Sequence, residues 1–136
     1  MTQKTVPTGV PVEEFLAGLD ARRAAEGAEL ARIYGEATGA EPVMWGPSII
    51  GFGAYTITYA NGTTGTWMRT GFSPRKAKLS LYGLTEHPES AALLQKLGPH
   101  TATVACVYAN RLDALDEAVL RELITLGWSV TADAAV

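Results

Sequence analysis

The sequence has little of several residue classes, and each shortage excludes a kind of protein. Its 136 residues include one cysteine, Cys106, so no intramolecular disulfide can form and a reducing, cytoplasmic compartment is expected. No apolar run approaches the ~20 residues of a membrane-spanning helix, and residues 1–15 lack the apolar core of a secretion signal. Charged residues make up 18% and hydrophobic residues 47% of the chain, which excludes disorder. One ordinary domain that folds without a disulfide or a structural metal is predicted.

Acidic residues are absent from the segment 42–85, which carries four basic ones, Arg69, Arg75, Lys76 and Lys78. The segments on either side are net acidic, and the whole chain has a formal charge of −3. Such a split can steer an anion towards the basic segment. The alternative is that strands rich in Thr, Tyr and Gly simply place few charges. The acidic total argues against nucleic acid as a partner.

Helical periodicity and capping signals flank this segment. Asp20 is a predicted N-cap, Gly39 and Gly127 are predicted helix ends, and Asp113 and Asp116 are predicted to open the last helix. The predicted helices cover a short stretch from Val12, then 21–38, 89–97 and the segment from about 113 to 127.

Period-two alternation predicts strands between the helices. The predicted strands are 49–60 (or 52–60), 66–72, 77–82 and 103–109. The order α-βββ-α-β-α is typical of an α+β fold, in which helices gather on one face of an antiparallel sheet. A single domain over 12–128 with loose termini at 1–11 and 129–136 is expected.

The segment MWGPSIIGFGAYTITYANGTTGTWMRTGFSPRKAKLSLYG (44–83), followed by LLQKLGPH, ACVYANRL and LDEAVLRELI, resembles the YdhG-like domain of unknown function. That domain belongs to the YdhG/YjbR/CyaY-like superfamily, which includes the frataxins. The resemblance implies a curved antiparallel sheet of four to six strands backed by helices. Two positions depart from the family pattern: Pro99 replaces a lysine and Ala105 replaces a serine. If those groups form an anion site in relatives, part of it is missing here.

One branch of this family is described as frataxin-like iron chaperones, so the resemblance implies iron as an alternative cofactor. The predicted ligands are Glu26, Glu29 and Glu36 on the long helix, because carboxylate oxygens suit a hard cation. Arginines within one turn of these acids favour a different interpretation, a solvated and ion-paired helix face.

The principal functional hypothesis is a non-enzymatic module that binds a small anionic or aromatic ligand, or a protein partner, without a cofactor. The SPRK turn (73–76) offers converging cations and backbone N–H groups, and tryptophans and tyrosines with arginine at the rim suit a flat ligand. The alternatives are a charged surface turn and an ordinary aromatic core. The predicted ligand-binding residues are Trp45, Trp67, Arg69, Arg75, Lys76, Tyr82 and His100.

No catalytic constellation stands out in the sequence. Cys106, in the middle of a predicted strand, is expected to be a buried inert thiol, and His100 is expected to bond a loop backbone rather than act as a general base. A third hypothesis, an enzyme, requires a carboxylate within hydrogen-bond reach of His100. An exposed strand edge, 103–109 or 66–72, would allow a homodimer.

Overall fold

The structure of the protein, a computed structural model, describes residues 5–136. Residues 1–4 of the predicted loose N-terminus lie outside the described residues. None of the helices within 5–136 combines the length and apolar character that crossing a bilayer demands.

Four α-helices form where the caps and apolar stripes predict them. Asp20 accepts a hydrogen bond from the Arg23 backbone N–H at 3.3 Å, which confirms the predicted N-cap of the long helix. The last helix is capped by Asp116, which accepts from the Val119 N–H at 3.2 Å. Asp113, also predicted to open this helix, lies before it in a separate 3₁₀ turn, Leu112–Ala114, so that part of the prediction is wrong. Gly39 ends the long helix with a φ of 74°, as predicted. The helices are α1 (Val12–Ala17), α2 (Ala21–Thr38), α3 (Ser90–Leu97) and α4 (Glu117–Val130).

The strands form a six-stranded antiparallel sheet and a separate two-stranded hairpin. They are β1 (Pro42–Trp45), β2 (Ile49–Phe52), β3 (Tyr55–Thr58), β4 (Thr64–Trp67), β5 (Thr70–Pro74), β6 (Leu79–Tyr82), β7 (Thr101–Ala102) and β8 (Cys106–Ala109). The sheet order is β1-β2-β5-β6-β8-β7, and β3 pairs with β4. The α+β class predicted from the sequence is therefore confirmed.

Two predicted strands are each divided in the structure. Gly53 has a φ of +67°, a left-handed conformation that glycine adopts without strain, and it separates β2 from β3. The Arg69 N–H bonds the Phe52 carbonyl at 3.2 Å at the corresponding point between β4 and β5. As a result β3 and β4 leave the sheet as a hairpin. The prediction of continuous strands over 49–60 and 66–72 is wrong for this reason.

The segment before β2, which none of the predicted strands covers, is itself a strand. Pro42 is the first residue of β1, a position that tolerates the missing N–H, and Gly46 turns the chain into β2 with a φ of 62°. β5 lies between β2 and β6, and β8 lies between β6 and β7. The expectation that 103–109 or 66–72 forms an exposed sheet edge is therefore wrong for β8 and β5.

The core lies between the sheet and the helices. Tyr34 of α2 stacks on Phe52 with ring centroids 5.4 Å apart and contacts Phe72 at 5.2 Å. The inward residues of the sheet and the stripes of α2 and α4 are fully buried, which accounts for the main stabilisation through removal of apolar surface from water. These residues include Leu30, Ile33, Ile50, Leu79, Leu81, Val107, Leu120, Leu123 and Ile124.

The alternate residues of the sheet define its outer face, which points away from this core. Gly51 of β2 pairs with Gly71 of β5 there, and the Trp45 indole and the Met68 side chain occupy the space that side chains at Gly51 would fill. Further along the sheet the outer face becomes polar, with Ser73, Ser80, Tyr82, Cys106 and Tyr108 in neighbouring strands.

Both ends of the described chain are hydrogen-bonded to the sheet or the hairpin. The Thr8 N–H donates to the Met44 carbonyl and the Gly46 N–H donates to the Val6 carbonyl, each at 3.0 Å. At the other end α4 continues beyond Gly127 to Val130, and the Val136 N–H donates to the Ala54 carbonyl at 3.0 Å. Gly127 therefore does not end the helix as predicted, and residues 5–11 and 129–136 of the segments expected to be loose make the hydrogen bonds given above.

Candidate functional site

Strand register brings two polar residues, Lys78 and His100, to one end of the sheet. Leu79 of β6 pairs with Ala109 of β8, and Tyr108 of β8 pairs with Thr101 of β7. Lys78 and His100, which immediately precede β6 and β7, therefore lie beside the end of β8. Residues far apart in the sequence meet there because antiparallel pairing aligns them.

This end of the sheet forms a cavity of about 350 Å³, here called the basic groove. Its walls carry an ammonium, a guanidinium, an imidazole, two hydroxyls and an amide, and its lining includes no carboxylate. A volume of this size falls within the range of small-ligand sites. The polar lining residues are Lys78, His100, Thr101, Tyr108, Asn110 and Arg111.

The His100 ring is oriented by its own loop. Its Nδ1 lies 2.7 Å from the Gly98 carbonyl oxygen; since a carbonyl only accepts, Nδ1 carries the proton and Nε2 remains for another partner. The expected bond to a loop backbone is confirmed. The carboxylate that the enzyme hypothesis requires beside His100 is not among the residues lining this groove.

The cations of the groove differ in how far they are neutralised. Arg111 pairs with Asp113 at 2.7 Å, but both side chains are more than half exposed, so solvent screens the pair. Among residues 5–136, no salt bridge involves Lys78. The groove thus offers an unpaired ammonium and a guanidinium that can be shared with an incoming anion.

A second cavity of about 190 Å³, here called the aromatic cavity, lies against the outer face and the hairpin. Its lining includes Tyr55, Trp67, Tyr82, Glu86 and Cys106. Burial raises the pKa of Tyr55, and the negative charge of Glu86 raises it further. Two predicted ligand-binding residues, Trp67 and Tyr82, therefore share one cavity.

Arg69 also lines the aromatic cavity, but two of its five N–H donors are already used within the protein. Its Nε donates to Thr131 Oγ1 at 2.9 Å and its Nη2 donates to the Trp128 carbonyl at 2.5 Å. The guanidinium carbon lies 3.6 Å from the centroid of the Trp128 ring, a cation–π contact. Arg69 thus holds the end of α4 against the hairpin, and burial lowers its pKa.

The structure places Trp45 beside the aromatic cavity rather than in its lining. Its side chain is only 2% exposed, and its ring meets the Trp67 ring edge-on at a centroid distance of 5.8 Å. The space above Gly51 is what admits the indole. Trp45 thus packs against the ring of Trp67 and helps to fix its position in the cavity wall.

The SPRK turn contributes less surface than its four residues suggest. Ser73 and Pro74 belong to β5 and are buried, and Ser73 Oγ donates to the Ser48 carbonyl at 2.7 Å. Only Arg75 and Lys76 are exposed. They precede Lys78 in the β5–β6 connection, so the turn adjoins the basic groove without lining it.

The sequence prediction did not include Lys78, Tyr108 or Arg111 among the ligand-binding residues. The one sequence signal that pointed to Lys78 was its place in the acid-free segment 42–85.

Each of the three carboxylates predicted to hold iron is bonded within the protein. Glu26 accepts from Arg23 Nη1 at 2.7 Å and from the Leu112 N–H at 2.8 Å. Glu29 pairs with Arg32, and Glu36 pairs with Arg32 and with Arg121 of α4. These hydrogen bonds hold the pKa of Glu29 and of Glu36 below the ordinary value. Within residues 5–136, no group of three or more His, Cys, Asp and Glu side chains is arranged to hold a metal ion.

A groove of about 650 Å³ also runs between α3 and α4 on the helical side. Its lining is largely apolar, including Ala92, Leu93 and Leu126, and it contains none of the predicted site residues. Its charged groups at the rim include Arg121, which is already paired with Glu36 and Glu117. The basic groove is therefore the better candidate site on chemical grounds.

Comparison with models of known families, with curated proteins and with solved structures gives no match for this chain. The resemblance to the YdhG-like domain, and the iron binding that it implies, stay predictions. The candidate site is thus defined by the strand register and the side chains described above.

Proposed function

We propose that the protein binds a small anionic ligand in the basic groove and does not transform it. The observation that carries this proposal is the convergence of Lys78, His100 and Arg111 on one groove whose lining contains no carboxylate. Hydrogen bonds to an ionised partner are about twice as strong as neutral ones. A phosphate or carboxylate group would accept such hydrogen bonds from the lysine and the arginine of the groove.

The neighbouring groups suit the same ligand class. Thr101 and Tyr108 present hydroxyls, which can donate to an anion, and Asn110 adds an amide. Arg75 and Lys76 lie just outside and raise the local positive potential. A cytoplasmic location is proposed with it, since Cys106 cannot form an intramolecular disulfide. No observation favours the iron alternative, because the helix carboxylates are already paired with arginines.

Isothermal titration with inorganic phosphate tests the proposal. Wild-type protein is expected to bind phosphate, and Lys78→Ala is expected to weaken binding about tenfold, a change of ~1.4 kcal/mol. Lys96→Ala is the matched control, because Lys96 is an exposed lysine of α3 outside the groove. Arg75→Ala measures how much the SPRK turn contributes to the phosphate affinity. Equal weakening by Lys78→Ala and Lys96→Ala, or no phosphate binding by the wild type, would contradict the proposal.

A further inference from the structure

The basic groove and the aromatic cavity adjoin each other along β8. Cys106 lines the aromatic cavity and Tyr108 lines the basic groove. Residues i and i+2 of a strand point to the same side and lie about 7 Å apart. Tyr82 and Ser80 of β6 pair with Cys106 and Tyr108 at the same level. The two recesses are therefore neighbouring parts of one surface on the outer face.

The side chains of Cys106 and Tyr108 also influence each other. Hydrogen bonding and the electrostatic influence of Cys106 raise the pKa of the Tyr108 phenol. The phenol is therefore neutral near pH 7 and adds no negative charge to the groove. Cys106 and Tyr108, each lining one of the two recesses, mark the boundary between them.

The aromatic cavity has the chemistry of a site for a planar ring. Tyr55, Trp67 and Tyr82 are each partly exposed and present ring surface, and aromatic side chains stack on heterocyclic bases. The Glu86 carboxylate, also in the lining, can accept a hydrogen bond from a ring N–H or an amino group. At about 190 Å³ the cavity has the volume of roughly six waters, which suits one ring system.

We infer that the ligand is a mononucleotide, with its phosphate in the basic groove and its base in the aromatic cavity. This inference rests on the proposed function, since the phosphate occupies the same groove. Lys78 and Arg111 neutralise the phosphate, and Glu86 accepts a hydrogen bond from the edge of the base. The His100 ring lines the same groove as the phosphate. The ribose spans the boundary formed by Cys106 and Tyr108.

Three titrations by calorimetry separate the two recesses: adenosine monophosphate, ribose 5-phosphate and adenosine, each into the full chain. Adenosine monophosphate is expected to bind at least about tenfold more tightly than ribose 5-phosphate, because stacking adds to phosphate binding. Lys78→Ala is expected to weaken both phosphates. Tyr82→Leu is expected to reduce the affinity for adenosine monophosphate to that of ribose 5-phosphate and to leave ribose 5-phosphate unchanged.

Tryptophan fluorescence of the wild type provides a measurement that needs no substitution at Tyr82. Adenosine monophosphate is expected to quench the emission, ribose 5-phosphate is not, and Trp67→Phe is expected to remove the quenching. Equal affinity for the two phosphates, or quenching that survives Trp67→Phe, would overturn the mononucleotide and leave the anion site standing. Failure of both phosphates to bind would overturn the proposed function as well.

Discussion

Gly127 of α4 packs its α-carbon directly against the backbone carbonyl of Gly83 at the end of β6. A Cβ atom at position 127 would overlap that carbonyl oxygen. The helix and the strand thus approach each other more closely than a side chain permits. This contact positions the last turn of α4, whose Trp128 carbonyl accepts the hydrogen bond from Arg69.

Gly127→Ala is therefore expected to destabilise the protein by about 2 kcal/mol or more, because backbone atoms must separate to admit the methyl group. Gly35→Ala is the matched control in α2. A Cβ there would lie an ordinary 3.6 Å from the nearest atom, the Ala40 carbonyl oxygen, and alanine favours a helix over glycine by up to ~1 kcal/mol. Urea unfolding measures both; equal effects of the two substitutions would contradict this account of Gly127.

Arg69 is expected to matter more for stability than for ligand binding. Arg69→Met removes its hydrogen bonds to Thr131 and to the Trp128 carbonyl, together with the cation–π contact. The free energy of unfolding, measured with urea, is expected to fall by about 1–3 kcal/mol. Arg75→Met, at an exposed position, is expected to change stability by less than ~0.5 kcal/mol. A phosphate affinity that falls for Arg69→Met in a fully folded sample would instead place Arg69 in the site.

Tyr34 carries a hydroxyl with no hydrogen-bond partner in the described part of the chain, although its side chain is completely buried. Burial raises its pKa, so the phenol stays neutral. Tyr34→Phe keeps the ring stack with Phe52 and removes the unpaired oxygen. A gain of about 1 kcal/mol is expected in thermal or urea unfolding, with Tyr59→Phe on the partly exposed hairpin as the neutral control. A loss of stability for Tyr34→Phe would show that the hydroxyl has a partner.

The helices and the fold class follow from local signals, whereas the site follows from pairing at long range. Asp20, Gly39 and the spacing of Leu30 and Ile33 suffice to place α2, since capping and burial act within a few turns. Gly53 divides a strand whose alternating pattern continues through it. The sequence does not predict this break, because it depends on where the hairpin packs.

The role of Gly127 could not be predicted from the sequence either, since this glycine contacts Gly83 of a distant segment and does not end the helix. Lys78, His100 and Arg111 come together only through the register of β6, β8 and β7. No local spacing in the sequence expresses that register. The predicted aromatic residues fare better, because Trp67 and Tyr82 do share a cavity.

Low pH is expected to remove the contribution that the ion pairs between α2 and α4 make to the stability of the fold. Arg121 of α4 donates to Glu36 of α2 at 2.9 Å, and this bond lowers the pKa of Glu36 from its ordinary 4.5. Stability from a carboxylate with a lowered pKa is present above the unfolded value and lost as pH falls through the folded value. Glu36→Gln is thus expected to lower Tm slightly at pH 7, and the difference from wild type is expected to shrink as the pH falls below 4.5 and to vanish once it lies below the lowered pKa of Glu36.

Glu41→Gln is the control for this measurement, because Glu41 is exposed and no salt bridge within residues 5–136 involves it. Its Tm is expected to follow that of the wild type at each pH. A Glu36→Gln difference that stays the same from pH 7 down to pH 3 would mean that the substitution acts through packing and not through charge.

The most direct test of the basic groove is an NMR titration of the ¹⁵N-labelled protein with inorganic phosphate. We expect the amide signals of Lys78, His100, Thr101 and Arg111 to shift together with one saturation curve, and those of α3 around Lys96 to stay in place. In Lys78→Ala the same signals are expected to saturate only at about tenfold higher phosphate concentration. Shifts confined to Arg75 and Lys76, or uniform shifts of all exposed amides, would contradict a phosphate site in the basic groove.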